Sequence, residues 1–116
     1  MPTDVVATDE FVEWYDDLGD RTRKSVMRAV DLLEQMGTAL KHPHSSQIKG
    51  SRYALRELRV QSGGHPIRVF YIFDMIRQAV LLVGGDKTGN ARFYLAMVPF
   101  AEAIWEQYQA EQEKKR

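Results

Sequence analysis

Between Ala54 and Tyr94 the chain carries three short runs rich in β-branched and aromatic residues, joined by connections too short to reverse strand order. The runs are Ala54 to Gln61, Pro66 to Asp74 and Gln78 to Gly84, and each is bounded by turn formers, the pattern of a strand. Ser62-Gly63-Gly64 supplies glycines that accept the positive φ of a hairpin. Asp74-Met75-Ile76-Arg77 opens with an Asp suited to bonding its own backbone. Parallel neighbours need a crossover of a dozen or more residues, so the three runs are expected to be consecutive antiparallel strands. Alternation puts Leu55, Glu57 and Arg59 on one face of the first and Ala54, Arg56, Leu58 and Val60 on the other. On the middle strand Ile67, Val69, Tyr71 and Phe73 oppose Arg68, Phe70, Ile72 and Asp74. The third strand, Ala79 to Val83, is apolar on both faces, so protein should cover both of its sides.

The flanks read as helices. Val5 and Val6 suit a short edge strand, and Thr8 is placed to cap a helix with Asp9 and Glu10 in its first turn and Phe11, Trp14, Tyr15 and Leu18 at helical spacing. Gly19 should end that helix and Asp20 cap the next, whose buried stripe is Val26, Ala29, Val30, Leu33 and Met36, with Gly37 as the stop. After the strands, Asn90 is placed to cap a last helix in which Phe93, Met97, Ala101, Ile104 and Tyr108 share a side. Pro99 is expected to kink or split it, and the polar tail from Gln109 to Arg116 to fray. The fold class is therefore α+β, an N-terminal αα-hairpin on a small twisted antiparallel sheet with a C-terminal helix. Residues 1–116 read as one domain, a length that supports a core.

Composition narrows the chemistry. With no cysteine there is no disulfide framework, thiolate metal site or thiol nucleophile. The first residues carry neither a basic region nor a long apolar run, so a cytoplasmic, unexported protein without a membrane span is expected. Basic and acidic residues balance at 16 each, yet unevenly along the chain. Residues 1–20 hold Asp4, Asp9, Glu10, Glu13, Asp16, Asp17 and Asp20 and no base. Residues 41–92 hold Lys41, Lys49, Arg52, Arg56, Arg59, Arg68, Arg77, Lys87 and Arg92 against Glu57, Asp74 and Asp86. Cations that share a face would attract phosphates despite the neutral whole.

Two apparent motifs fail. His42 and His44 flank a proline in a segment read as loop, Thr38 to Ser51, without the further ligands a metal site needs, so no metal is expected. Gly84-Gly85-Asp86-Lys87-Thr88-Gly89-Asn90 is glycine-rich but lacks the P-loop spacing, which excludes nucleoside triphosphate binding of that kind.

In Lys49-Gly50, Glu57-Leu58-Arg59, Ile67-Arg68-Val69-Phe70-Tyr71, Leu81 to Gly89 and Arg92-Phe93-Tyr94, taken in that order behind a helical pair, the chain resembles the HigB-like branch of the RelE/ParE toxin superfamily of type II toxin–antitoxin systems. The resemblance implies a ribosome-dependent mRNA endonuclease acting without metal or cofactor, by attack of a ribose 2′-hydroxyl on the adjacent phosphate. It implies three partners, the ribosome, its mRNA and a HigA-like helix-turn-helix antitoxin, with operator DNA met only through the antitoxin. It places Arg68, Lys87 and Tyr94 at the catalytic positions, a guanidinium suiting bidentate phosphate contact and the phenol suiting stacking or proton donation. Lys49, Arg52, Arg59 and Arg92 are the expected RNA or phosphate contacts.

The paired lysines of RelE itself are replaced by Leu55 and Glu57, which leaves the general base unassigned. Of the two candidates for it, His65 has a suitable pKa range but sits in the hairpin turn, and Glu57 would serve only if burial raised its pKa; an ion pair with Arg59 or Arg68 is the favoured role for Glu57. The same resemblance admits a ParE-like, non-nucleolytic inhibitor of DNA gyrase and a phage-derived binding module without toxicity. For the site as a unit, Arg68 is expected near Val83, with its head group in a groove, and Lys87 and Tyr94 at the same end of the sheet. The two cationic heads should share a face within about the 10 Å Debye length.

Overall fold

A computed structural model describes residues 2–115. In chain order it contains β1 (Val5–Ala7), α1 (Asp9–Asp16), α2 (Asp20–Met36), a 3-10 turn (Gly37–Ala39), β2 (Ser45–Gln47), β3 (Arg56–Ser62), β4 (His65–Phe73), β5 (Ala79–Asp86) and α3 (Phe93–Lys114). The five strands form one sheet in the order β1-β5-β4-β3-β2. The meander β3–β4–β5 is antiparallel as expected, with positive φ at Gly63 and Gly64 in its first turn. In its second turn the Asp74 carboxylate accepts from the N–H of Ile76 and of Gln78.

The sheet departs from the expectation in two places. It is mixed rather than antiparallel, because β1 runs parallel to β5 with Val5 opposite Ala79 and Ala7 opposite Leu81. Direction there is a tertiary matter: the Ala79 N–H donates to the Asp4 carbonyl and the Thr8 N–H to the Leu81 carbonyl, while the Thr8 hydroxyl donates to the Leu82 carbonyl. The segment read as loop also contributes a strand, β2, antiparallel to β3. Its Ser45-Ser46-Gln47 has none of the side chains that mark strands, and it is held through buried Ser45, which bonds the Tyr71 hydroxyl.

Helices cover both faces. Phe11, Val26, Val30 and Leu33 of α1 and α2 pack on Leu58, Val60, Ile67, Val69, Tyr71 and Leu81. Phe93, Ala101, Ile104 and Trp105 of α3 pack on Leu55, Phe70, Ile72, Val80, Leu82 and Val83. The two-sided burial of β5 follows from its apolar sequence. Thr8 caps α1, its hydroxyl accepting the Phe11 N–H at 3.1 Å. Gly19, not Asp20, is the cap of α2, and Met36 is 41% exposed instead of joining the stripe. The cap position of α3 is Arg92 rather than Asn90, whose side-chain carbonyl accepts the Arg92 N–H in the turn before it. α3 runs through Pro99 and past Gln109 to Lys114 without the expected break or fraying, and no helix among the described residues is long and apolar enough to cross a membrane.

A bulge in β5 shifts the register of its second half. Tyr71 pairs with Leu81 but Phe70 with Val83, so Leu82 is extra and every later pair is displaced. Phe73 pairs with Ala79 rather than Gln78, which shifts the expected register by one residue, and the bulge adds a second, so Arg68 lies opposite Gly85, not Val83. The strand also extends through Gly84 and Gly85, where the sequence suggests a loop, because these glycines are seats for aromatic rings. A Cβ on Gly84 would come within 2.4 Å of the Trp14 ring, and one on Gly85 within 2.9 Å of Phe93. Gly84→Ala is therefore expected to overpack the α1 face and cost about 1–3 kcal/mol, read as a lower thermal midpoint. An unchanged midpoint would show that Trp14 is not fixed against the strand.

Candidate functional site

The site is a polar inclusion in the layer between the sheet and α3. Register places Glu57 beside Phe70 and Arg59 beside Arg68, all on the α3 side. Glu57 is the centre. One carboxylate oxygen accepts the Tyr94 hydroxyl at 2.7 Å and faces the Arg68 Nε at 3.6 Å. The other accepts the Ser46 hydroxyl at 2.9 Å and faces the Arg59 guanidinium at 3.6 Å. Lys87 lies just past β5 with its ammonium 5.2 Å from the centre of the Tyr94 ring, in the range of a cation–π contact. Arg68 and Tyr94, far apart in sequence, thus meet at one carboxylate, and Lys87 lies against the ring of that tyrosine.

Arg68 corrects the expectation of a head group facing a groove, for the residue is only 4% exposed. Alternation puts it on the face that α3 covers, where it lies beside Arg59 on β3 and opposite Gly85 on β5. One terminal nitrogen donates to the Ile67 carbonyl at 3.1 Å, while its Nε has no hydrogen-bond partner. A buried donor left in this state costs about 1–3 kcal/mol. Tyr94 is half-buried, and its phenol is held above its ordinary pKa, first by burial and then by its bond to Glu57 and that group's charge. It is a proton-bearing group at neutral pH.

The remaining cations are spread out. Arg59 is part of the cluster. Arg52 reaches Glu106 at 3.1 Å and Glu102 at 3.7 Å and lies over the Tyr53 ring, which ties it to the flank of α3. Lys49 is exposed in the loop before β3, and Arg92 is exposed at the start of α3. His65 stands on the opposite, α1–α2 side, its Nδ1 3.0 Å from Asp86 and 3.1 Å from the Thr88 hydroxyl. The Thr88 hydroxyl and N–H, both donating to Asp86, and after them His65 hold the Asp86 carboxyl below its usual range. Sequence reasoning missed Ser46, for which there was no signal; it expected Glu57 to pair with Arg59 or Arg68, and Glu57 pairs with both, but it did not count Glu57 among the site residues. The signal for Glu57 was present: a carboxylate on the same strand face as Arg59 and on the apolar side of the sheet. Among the described residues no group of three or more His, Cys, Asp or Glu side chains could hold a metal ion.

A helical pair on one face, a closing helix on the other and this strand order define a RelE-like fold. A mutant of Escherichia coli toxin RelE in the free state superposes with a TM-score of 0.60 at 10% identity, covering 84% of this chain and 96% of that one. RelE of Pyrococcus horikoshii, solved in complex with RelB, gives 0.57 at 18% identity over 78% of this chain and all of that one. In sequence, HigB3 of Mycobacterium tuberculosis, a candidate toxin, is 37% identical over 100 residues, 84% of this chain and 86% of that protein. HigB2 of the same organism, likewise a candidate toxin, is 32% identical over 101 residues, and the chain spans half of its length. Residues 13–106 match the family described as phage-derived protein Gp49-like. The chain belongs to that family, is HigB-like in sequence, and has the RelE fold.

Glu57→Gln removes the charge facing buried Arg68 and should lower stability by about 3–5 kcal/mol, read from denaturant unfolding. A loss below about 1 kcal/mol, the range of an exposed pair, would mean that Arg68 is solvated. Tyr94 gives a prediction of its own. A phenol whose folded pKa lies above its unfolded value, about 10, contributes stability that is complete below that value and is lost as pH rises through the folded one. The near-ultraviolet titration of the native protein minus that of Tyr94→Phe should therefore show one phenol ionising above the ordinary value. A difference curve centred at or below that value would contradict the bond to Glu57.

Proposed function

We propose that this chain is the toxin of a type II toxin–antitoxin pair and that it blocks translation by cutting messenger RNA on the ribosome. Its family supports the first part. The observation that carries the second is the cluster itself: two arginines, a lysine, a carboxylate and a proton-bearing phenol gathered at the end of β4 and β5 beneath the first turn of α3.

The parts suit phosphodiester cleavage by an internal nucleophile. Glu57 takes the proton of the ribose 2′-hydroxyl as the O2′–P bond forms, the P–O5′ bond breaks, and Tyr94 gives its proton to the leaving 5′-oxygen. Arg68 and Lys87 stabilise the extra negative charge on the phosphorane. The unpartnered Arg68 Nε supports this assignment, since a phosphate oxygen would supply the bond that the free protein lacks. Arg68 is buried and opposed by Glu57, so the substrate phosphate competes with that carboxylate for the guanidinium. Arg59 at the edge of the cluster, with Lys49 further out, would hold the flanking RNA backbone, and Arg92, on the outward side of α3, takes no part in it. Arg52, already engaged by two carboxylates, contributes less. A helix-turn-helix antitoxin would neutralise the protein and be its link to operator DNA.

Induction in a bacterium without antitoxin should stop amino-acid incorporation before thymidine incorporation. The reverse order would favour inhibition of gyrase, and unaffected growth would favour a non-toxic binding module. Lys87→Ala, at a half-buried position with no ion pair among the described residues, should abolish the arrest while lowering the unfolding free energy by only about 1 kcal/mol, the scale of its lost contact with the Tyr94 ring.

A further inference from the structure

We infer that the outward face of α3 is a two-fold interface for a second copy of this chain. α3 is apolar on two sides. Its inner side is buried on the sheet through Phe93, Ala101, Ile104 and Trp105. Helical periodicity gathers Arg92, Leu95, Ala96, Pro99, Ala103 and Glu106 on the opposite side, where Leu95 is 70% exposed and the other five are exposed as well. Phe100, 48% exposed, borders the stripe. Between Arg92 and Glu106 the only charged side chain is Glu102, and it is turned aside to Ser51 and Arg52. A helix that meets water on its outer side ordinarily carries polar residues there, and an apolar stripe with polar ends is the form of a protein contact.

The arrangement along the stripe selects the occupant. Arg92 and Glu106 lie seven residues either side of Pro99. In an antiparallel copy of α3 crossing at Pro99, Arg92 of each chain would therefore face Glu106 of the other, about 10 Å from the crossing point. Leu95 and Ala103 lie four residues either side, so a large side chain meets a small one in both halves. The small Ala96 and Ala103 beside Pro99 let the axes approach to about the 8–10 Å of packed helices. The Arg92 guanidinium has no bond among the described residues, whereas the Glu106 carboxylate is already fixed by Arg52 at 3.1 Å and by the Tyr53 hydroxyl. An isologous contact demands that each half of a patch complement the other half, and this stripe meets that demand in charge and in size.

The test is the mass of the purified full chain by sedimentation equilibrium in the micromolar range, which is independent of whether the protein cuts RNA. The expected value is twice the 13.4 kDa of one chain. Leu95→Glu should give the mass of one chain, still folded by circular dichroism, with a thermal midpoint that no longer rises with protein concentration. Arg92→Glu and Glu106→Arg should each weaken the dimer about tenfold or more, and the two together should restore it. If the Glu106 variant fails to fold, Leu95→Glu and Ala103→Glu decide between one chain and two. A single-chain mass for the unaltered protein would overturn the inference, as would a dimer indifferent to Leu95→Glu. A double exchange no tighter than its single variants, or a monomer whose binding to its antitoxin is lost in Leu95→Glu, would also overturn it.

Discussion

The buried pair of Arg68 and Glu57, 3.6 Å apart in a layer otherwise built of Leu, Ile, Val and Phe, is the interaction around which the site is built. Taking two charges out of water costs several kcal/mol for each, and attraction offsets that cost only when the remaining donors and acceptors are well matched. Glu57 is well matched, with Tyr94, Ser46 and Arg59 around it. Arg68 is not, because its Nε bonds nothing. A cluster serving the fold alone would have satisfied that donor or done without the charge. In the function proposed above, that donor is the one a substrate phosphate would satisfy with an acceptor of its own.

The rest of the fold makes such an inclusion tolerable. Helices on both faces give β4 and β5 a continuous apolar cover. The bulge at Leu82 brings Gly85 opposite Arg68, and the glycine leaves room there for the Phe93 ring. The ring anchors the first turn of α3, and the next residue, Tyr94, carries its hydroxyl to Glu57. Lys87 follows directly from the end of β5 and lies against the same phenol ring. Packing at two glycines and the chemistry of the cluster are therefore one construction.

Much of this was legible in the residues. The three strands, the cap at Thr8, the stop at Gly37 and the Asp74 turn rest on local chemistry that short stretches carry by themselves. Glu57 could be read as an ion-pair partner of Arg59 or Arg68 because alternation alone puts all three on one face. What escaped is non-local. β2 is polar and pairs with β3 while its buried Ser45 bonds a tyrosine on β4, β1 runs parallel to a strand some seventy residues away, and the bulge at Leu82 has no local marker in the residues. The burial of Arg68 follows from the cover that α3 gives its face of the sheet. The reading of its side chain as a head in water would suit an open sheet, and this sheet is closed by α3.

A phosphodiester-cleaving site differs from a mere buried ion pair in the RNA ends it leaves. Purified protein added to a reconstituted translation reaction with a defined message shows those ends directly. The expected result is cuts within ribosome-bound message that leave 2′,3′-cyclic phosphate on the upstream fragment, present with the unaltered chain and absent with Tyr94→Phe that remains folded. Translation that stops while the message stays intact, or cuts that persist undiminished without the Tyr94 hydroxyl, would contradict the assignment of the cluster.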